Sequence, residues 1–530
     1  MSVIRLSEFE GADDRERFAA ALSFMKARPG TTLTVEPGVY RITTERARAA
    51  QRSVMTGEWG NDAQKVMFTP EYRYDRALDF KGHEGSSVDA YGATLLFDGF
   101  MEGISIRHCR GVTVRGFTLD HVRRPFSSGR ITNVRREGGA TLCDVDLTDD
   151  VFPKTPLVRA AVYSAKEGRF VPEKTGYFDR WVISPRKIGL RFDNGFVPDE
   201  GDEFACAHVF HTRPGVLIED AEDTTVEDVT VRSWPGMGLT AQKSRDIAVR
   251  RLAVVPAEGE RFSTNTDATH FAACRGKLTV DGCRFEGQGD DSINVHTYYY
   301  TVTRREGRTF TLVIKAPDGT HTQSLVYPLP GDRFELTEIS SLNPVDSFRV
   351  VSSVPDPENG CCHVTLDRDP PEDIDGFFFA DPDEVPEVEF VNCTAKNHFA
   401  RSILLKARRC LVENCTVEAS FEDAVKIAAE AGWHEGINSE SVTVRNCRFV
   451  GCGVRSYIGC GGVSVYMDTE KDSDSHGEVT IENVTVDCPN VPHGIVLKNV
   501  RRATVKNCEI RSSAEPIVVG EGVSFKEIDS

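Results

Sequence analysis

Phe390-Val-Asn-Cys-Thr-Ala395 and Val412-Glu-Asn-Cys-Thr-Val417 are two copies of one hexapeptide, apolar–polar–Asn–apolar–polar–apolar, with their third positions at Asn392 and Asn414. The pattern continues toward the C-terminus as Val444-Arg-Asn-Cys-Arg-Phe449, Ile481-Glu-Asn-Val-Thr-Val486 and Val505-Lys-Asn-Cys-Glu-Ile510. Toward the N-terminus it returns as Val280-Asp-Gly-Cys-Arg-Phe285, Val249-Arg-Arg-Leu-Ala-Val254, Val226-Glu-Asp-Val-Thr-Val231 and Val114-Arg-Gly-Phe-Thr-Leu119. The step from Asn392 to Asn414 is too short for a repeat containing a helix and suits one coil of three short strands. Strand alternation turns positions one, four and six inward, with a bend at the third position. Asn tolerates left-handed φ at such a bend, and stacked Asn side chains can hydrogen-bond from coil to coil. The pattern predicts an all-β fold, a right-handed parallel β-helix.

The ends agree. Asp13-Asp14 begins a short helix whose Phe18, Ala21, Leu22 and Met25 share one face, suited to capping the open solenoid. Thr32-Leu-Thr-Val35 followed by Glu36-Pro-Gly38 reads as the first strand and its turn. Two steps in the ladder, Gly116 to Asp228 and Gly282 to Asn392, are too long for structureless loops. Arg130-Ile-Thr-Asn-Val-Arg-Arg-Glu-Gly138 echoes Thr301-Val-Thr-Arg-Arg-Glu-Gly307, and Gly201-Asp-Glu-Phe204 echoes Gly331-Asp-Arg-Phe334. Residues 121–214 and 298–386 are therefore expected to be two small inserted antiparallel β-barrels. The cap and first coils occupy 1–120, the central β-helix 215–297, and the last coils 387–530.

At 530 residues the chain has 40% apolar and 27% charged residues and a net charge of −18. That charge repels polyphosphate and anionic membranes, so nucleic acid and lipid surfaces are excluded as expected partners. It also disfavours a highly anionic polymer as substrate, short of a local basic groove. The first residues carry no basic region followed by an apolar run, and no stretch approaches ~18 apolar residues. The reading is a cytoplasmic chain; a trimmed secreted form is the alternative. Fifteen cysteines are spread along the chain, several at one repeat position, as reduced packing thiols would be. None has C-x-x-C spacing, and Cys361-Cys362 is a bare doublet, so no metal or other cofactor is expected.

The densest polar segments are Arg261-Phe-Ser-Thr-Asn-Thr-Asp-Ala-Thr-His270 and Gly287-Gln-Gly-Asp-Asp-Ser-Ile-Asn-Val-His296. Asp267 precedes Asp290 by the length of one coil, so the two should stack on adjacent coils; Asp291 joins them if the chain bends after Gly289. Three carboxylates this close cannot all stay ionised, which yields an acid beside a base. The bland alternative is a set of turn carboxylates or a calcium site, which needs six to eight oxygens. His270, Asn294 and His296 are expected to line the pocket, against the alternative of ordinary satisfied polar residues. Arg401 and Lys406, about one strand length apart, are candidate substrate contacts or a surface ladder pair. Trp433 is a candidate platform for a sugar ring and Glu435 an acceptor for its hydroxyls; a packed Trp and a solvated Glu are the alternative. The acidic stretch Asp367–Asp383 reads as a solvated barrel loop.

Asn265-Thr-Asp267 followed by Asp290-Asp291 resembles the polygalacturonase group, glycoside hydrolase family 28. The sequence is more similar to glycoside hydrolase family 110, the α-1,3-galactosidases. That resemblance is carried by Asp267-Ala-Thr-His-Phe271, Gly287–His296, Gly236-Met-Gly-Leu-Thr-Ala-Gln242, Arg124-Pro-Phe-Ser127, Ala400-Arg-Ser-Ile-Leu-Leu405 and Trp433-His-Glu-Gly436. It spans residues 120–450. It implies an inverting, metal-independent exo-galactosidase, with Asp290 as general acid and Asp267 and Asp291 activating water. The family pattern expects Gly after His296, where Thr297 stands, and residues 46–75 fall outside the resemblance. The expected partner is an oligosaccharide or glycoconjugate; the oligomeric state is open, a homodimer included. A polygalacturonase-like hydrolase, a calcium-dependent lyase and a non-enzymatic carbohydrate-binding β-helix are the alternatives.

Overall fold

The computed structural model describes residues 2–69, 72–172, 178–314, 327–467, 469–471 and 473–528. The hexapeptides build it. Their first residues, Val114, Val226, Val249, Val280, Phe390, Val412, Val444, Ile481 and Val505, pair in unbroken parallel register. Their sixth residues, from Leu119 to Ile510, form a second unbroken column. The nine copies are thus nine successive coils of a parallel β-helix. The first column belongs to a 13-stranded sheet and the second to an 11-stranded sheet. A third parallel sheet, from Arg76–Asp79 to Ile517–Val519, closes the triangular section around one apolar core.

All nine third positions have left-handed φ, between +50° and +82°. Asn side chains stabilise this bend from outside the core: Asn414 Nδ2 donates to Asn392 Oδ1 at 3.1 Å, Asn483 to Asn446 at 3.1 Å and Asn507 to Asn483 at 3.3 Å. At the fourth position Cys393, Cys415 and Cys447 donate Sγ–H to the carbonyl two residues back. All fifteen cysteines are free, and burial pushes the Cys393 thiol up, so these side chains serve as compact apolar packing groups.

The cap helix spans Asp14–Lys26; Asp13 accepts from Glu16 N at 2.8 Å, and Phe18, Ala21, Leu22 and Met25 are buried over the first coil. Thr32–Thr34, expected as the first strand, is the second. The first strand is Val3–Arg5, ahead of the helix, paired parallel with Thr32–Thr34. So short a strand cannot show a period. Residues 46–75 contribute the helix Glu45–Met55, whose Ala50 and Val54 pack with Met67, Phe100 and Val209.

Two antiparallel units interrupt the solenoid. The first, from Phe126–Glu137 to Glu203–Ala207, expected as a barrel, is among the described residues a seven-stranded sheet whose end strands do not pair; it folds over its own core, so that Phe178 on an outer strand meets Phe204 at 5.5 Å. The second begins as strand Ile293–Glu306 leaves the third sheet, and closes as a six-stranded barrel with Thr309–Val313, Cys361–Leu366, Pro344–Asp356, Arg333–Glu338 and Phe377–Ala380. Residues 173–177 of the first unit and 315–326 of the second lie outside the described residues. The two echoed motifs occupy equivalent places. Gly138 and Gly307 turn the first hairpins at φ +58° and +59°, and Gly201 and Gly331 enter later strands at +96° and +95°. The acidic stretch Asp367–Asp383 is more than a solvated loop. It contains a barrel strand, and Asp381 is fully buried with Asp332 and Glu384 around Arg275, where burial pushes it up to about 10. Among the described residues no helix is long and apolar enough to cross a membrane.

Candidate active site

The third sheet carries the site. Its strands align Leu239, Thr269, Ile293, Ile403 and Val425 in register. Two residues before each lie Met237, Asp267, Asp291, Arg401 and Asp423, at the corner where the chain enters the sheet. Asp267 therefore stacks on Asp291. The expected Asp267–Asp290 stack is corrected, because the coil runs one position longer than that spacing: Thr264 bridges to Gln288 and Thr269 pairs with Ile293. Asp290 sits one position earlier, off the column, and its side chain is 31% exposed against 8% for Asp267 and 2% for Asp291. Gly289 makes that corner: a Cβ there would meet the Asn265 carbonyl oxygen at 2.2 Å.

The carboxylates converge, with one oxygen of each within 4.8 Å of the others. Asp291 accepts from Arg401 N at 3.0 Å and from Arg401 Nη2 at 2.9 Å. Asp267 Oδ2 lies 2.6 Å from His270 Nδ1. Asp290 Oδ2 accepts from Arg159 Nη2 at 3.4 Å. Burial pushes both Asp267 and Asp291 above the usual carboxylate range; Asp290 adds to this at each, while His270 and Arg401 oppose it.

Beside the trio lies a charged floor. Strand Glu435–Gly436 pairs antiparallel with Thr297 and Tyr298, which brings Glu435 under Asn294. Lys406, fully buried, donates to Glu435 Oε2 at 2.5 Å and to Asn294 Oδ1 at 3.2 Å, and pairs with Glu430 at 2.9 Å. Lys426 Nζ reaches Glu430 at 2.8 Å. Burial resists ionisation of Glu435, but His296, Lys406 and His270 outweigh it and hold the carboxyl well below its usual range.

These groups line a cleft of about 480 Å³, a size suited to a small ligand. Asp267, His270, Asp290, Asp291, Asn294, Arg401, Trp433 and Glu435 face it, and Trp433 is 59% exposed at its edge. His296 and Lys406 do not line it, a correction to their expected direct contact. His296 lies behind His270, 2.8 Å between Nε2 atoms, and Lys406 lies beneath Asn294 and Glu435. Sequence reasoning missed Arg159, His211, Glu422, Glu430 and Arg455. Arg159 and His211 come from the first inserted unit and its exit. That unit is held over the cleft by Phe170, which packs on Phe399, Phe421 and Phe262. Glu422 carried a readable signal: Glu422-Asp-Ala-Val425 repeats Asp290-Asp-Ser-Ile293 two coils on.

No protein-family model matches the chain. Among curated proteins it is similar to alpha-1,3-galactosidase A of Bacteroides fragilis, 23% identical over 473 residues, covering 83% of this chain and 76% of that protein. Alpha-1,3-galactosidase B of Parabacteroides distasonis is 27% identical over 493 residues, covering 85% and 77%. Alpha-1,3-galactosidase B of Phocaeicola vulgatus is 29% identical over 413 residues, covering 69% and 66%. Among solved structures the chain is similar to the exopolygalacturonase of Thermotoga maritima, with a TM-score of 0.35 at 10% identity, covering 99% of this chain and 91% of that one. The endo-xylogalacturonan hydrolase of Aspergillus tubingensis gives 0.38 at 9% identity, covering 100% and 91%.

Proposed function

We propose that this protein is a glycoside hydrolase that removes a terminal non-reducing sugar, α-1,3-linked galactose, from an oligosaccharide or glycoconjugate. The observation that carries the reading is three carboxylates converging in one cleft beside an exposed Trp. The names of the similar curated proteins support it. Asp290, the most exposed of the three, is the general acid toward the glycosidic oxygen; Asp267 and Asp291 hold the attacking water. Trp433 stacks on the apolar face of the sugar, and Asn294 and Glu435 bond its hydroxyls.

A polygalacturonase-like reaction would need an unneutralised cation for each uronate. The cations at the floor and walls already face carboxylates: Arg401 with Asp291 and Glu422, Lys406 with Glu430 and Glu435, Arg159 with Asp290. Arg455, at the rim, donates to the Pro172 carbonyl. Arg159 and Arg401 are thus neutralised while Arg455 at the rim keeps its charge, and one such cation favours a neutral sugar over a chain of uronates. Aryl glycosides of α-galactose, β-galactose, α-N-acetylgalactosamine and galacturonate test it. Hydrolysis of the α-galactoside is expected, and turnover of the galacturonide alone would overturn it.

The reaction is expected to invert. Oxygens within 4.8 Å lie nearer the ~5–5.5 Å of a retaining pair than the ~6.5–9.5 Å of an inverting one. That rule, however, describes two carboxylates. Here a third is present, giving one acid and two groups to hold a water. Proton NMR of a fresh digest should show the β-anomer of the released sugar first; the α-anomer first, or a trapped glycosyl-aspartate, would reverse the roles.

The reaction is expected to need no metal, although the three aspartates lie close enough to share an ion. Both Asp291 oxygens accept from Arg401 and one Asp267 oxygen is bonded to His270, and these bonds compete with a calcium ion that wants six to eight oxygens. Activity should survive EDTA unchanged. Loss that calcium restores would favour a lyase.

A further inference from the structure

Behind Asp267 three groups are joined end to end. His270 Nδ1 lies 2.6 Å from Asp267 Oδ2, His270 Nε2 lies 2.8 Å from His296 Nε2, and His296 Nδ1 lies 2.8 Å from the Thr297 carbonyl oxygen. The rings stand at 89° with centroids 4.9 Å apart. Each contact needs one hydrogen between its heavy atoms. A carbonyl only accepts, so His296 Nδ1 carries a hydrogen. Of two ring nitrogens at hydrogen-bond distance, one must carry a hydrogen and the other a lone pair. The same holds for the carboxylate and the ring beside it. The three contacts therefore hold three protons, whereas a carboxylate and two neutral imidazoles bring two. The extra proton has three stations that leave every contact intact: Asp267 as a carboxyl, His270 as an imidazolium, or His296 as an imidazolium. Passing between them moves hydrogens along existing bonds and no heavy atom.

We propose that Asp267, His270 and His296 form a proton wire holding one mobile proton, with Asp267 ionised beside an imidazolium when it activates the water. The catalytic part of this rests on the glycoside hydrolase reading; the wire itself does not. Asp290 and Asp291 face it on the cleft side, His211 from the exit of the first inserted unit, Glu435 and Lys406 on the inner side, and the Tyr298 ring packs on His296 at 5.1 Å. Burial holds His296 down to about 3, so the proton resides toward the Asp267–His270 end. In the reaction the water O–H bond breaks and its proton passes to the Asp267 oxygen that His270 does not engage. The water oxygen bonds the anomeric carbon while the glycosidic C–O bond breaks and its oxygen takes the Asp290 proton. The wire keeps its own proton throughout. His270 is thus a positioning residue: it acts on the water only through Asp267.

His270→Asn tests this, because the amide can still donate to Asp267 but cannot become a cation. Without the cation Asp267 ionises only at higher pH. The acid limb of kcat/KM should move up by about a pH unit or more, with a fall at pH 6 approaching ~10-fold for each unit of the shift. A uniform fall with the limb unmoved would mean a structural role only. A second measurement needs no substrate. In protein labelled with ¹⁵N-histidine and ¹³C-aspartate, assigned with His270→Asn, His296→Asn and Asp267→Asn, the extra proton should be found at pH 7.5 either as one doubly protonated ring or as a protonated Asp267 carboxyl. Two neutral, singly protonated rings together with an ionised Asp267 carboxylate between pH 6 and 8 would overturn the wire whether or not any sugar is cleaved.

Discussion

Asp290→Asn should lower turnover by about 10³-fold or more, with little change in stability, because removal of a general acid typically costs ~10²–10⁴-fold. The substitution is isosteric, and it falls on the most exposed of the three carboxylates, whose partner is Arg159 at 3.4 Å. Arg159, 19% exposed, loses a single 3.4 Å contact to a carboxylate and still faces an amide oxygen, so the loss of stability should be about 1 kcal/mol, well below that at Asp291. Asp291→Asn should behave differently. It too should lose most activity, but Asp291 is 2% exposed and takes two bonds from Arg401, so the variant leaves a buried guanidinium with Glu422 at 3.6 Å and the more distant Glu430 and Asp290. Breaking a buried pair costs about 3–5 kcal/mol, and the residual Glu422 contact places the expected loss at the lower end. Activity assays alongside denaturant titrations separate the two cases. Asp290→Asn within about fivefold of the parent would remove Asp290 from the acid role.

That contrast follows from a register the sequence does not reveal. The hexapeptides are strong signals because each imposes two physical demands at once, an inward apolar column and a left-handed bend, and all nine meet both. The corner between the second and third sheets has no such double constraint. Its length varies from coil to coil. A difference of a single position there decides whether Asp290 or Asp291 stacks on Asp267. Gly289 hinted at a bend, but the reason only Gly fits is the Asn265 carbonyl on the neighbouring coil. Arg159 and His211 were illegible for another reason. They reach the cleft from a unit inserted much earlier in the chain, and Phe170 against Phe399 and Phe421 fixes its placement. His296 and Lys406 were legible as important polar residues, yet whether a side chain faces a cleft or supports one that does depends on what covers it.

Lys406 shows how much that support matters. Lys406→Met should destabilise the fold by about 3–5 kcal/mol near neutral pH and abolish most activity, although Lys406 lies below the cleft lining. It is fully buried and bonded to Glu430, Glu435 and Asn294. Methionine fills nearly the same volume, so packing is kept and the charge is lost. Glu430 retains Lys426 at 2.8 Å. Glu435 retains His296 at 3.8 Å, the Asn294 amide at 3.3 Å and the field of His270, and burial would then push its folded pKa upward. The pH dependence follows from the sign. In the parent the Glu435 pKa is held below the unfolded value by His296, Lys406 and His270 against burial. Its ionised form therefore contributes stability that is present above the unfolded pKa, ~4.3, and is lost as pH falls through the lower folded value. In Lys406→Met burial is opposed by fewer groups and the folded pKa is expected to rise past the unfolded one; ionised Glu435 then costs stability at neutral pH and protonation relieves it. The deficit relative to the parent should be largest at pH 7–8 and shrink toward pH 5. Adding Glu435→Gln should recover much of the stability at pH 7.5 without recovering activity, because a neutral amide needs no cation but cannot hold the sugar hydroxyl as a carboxylate does. An equal deficit at pH 5 and pH 7.5, with no recovery in the double variant, would assign the loss to packing and take the charged floor out of the account of the site.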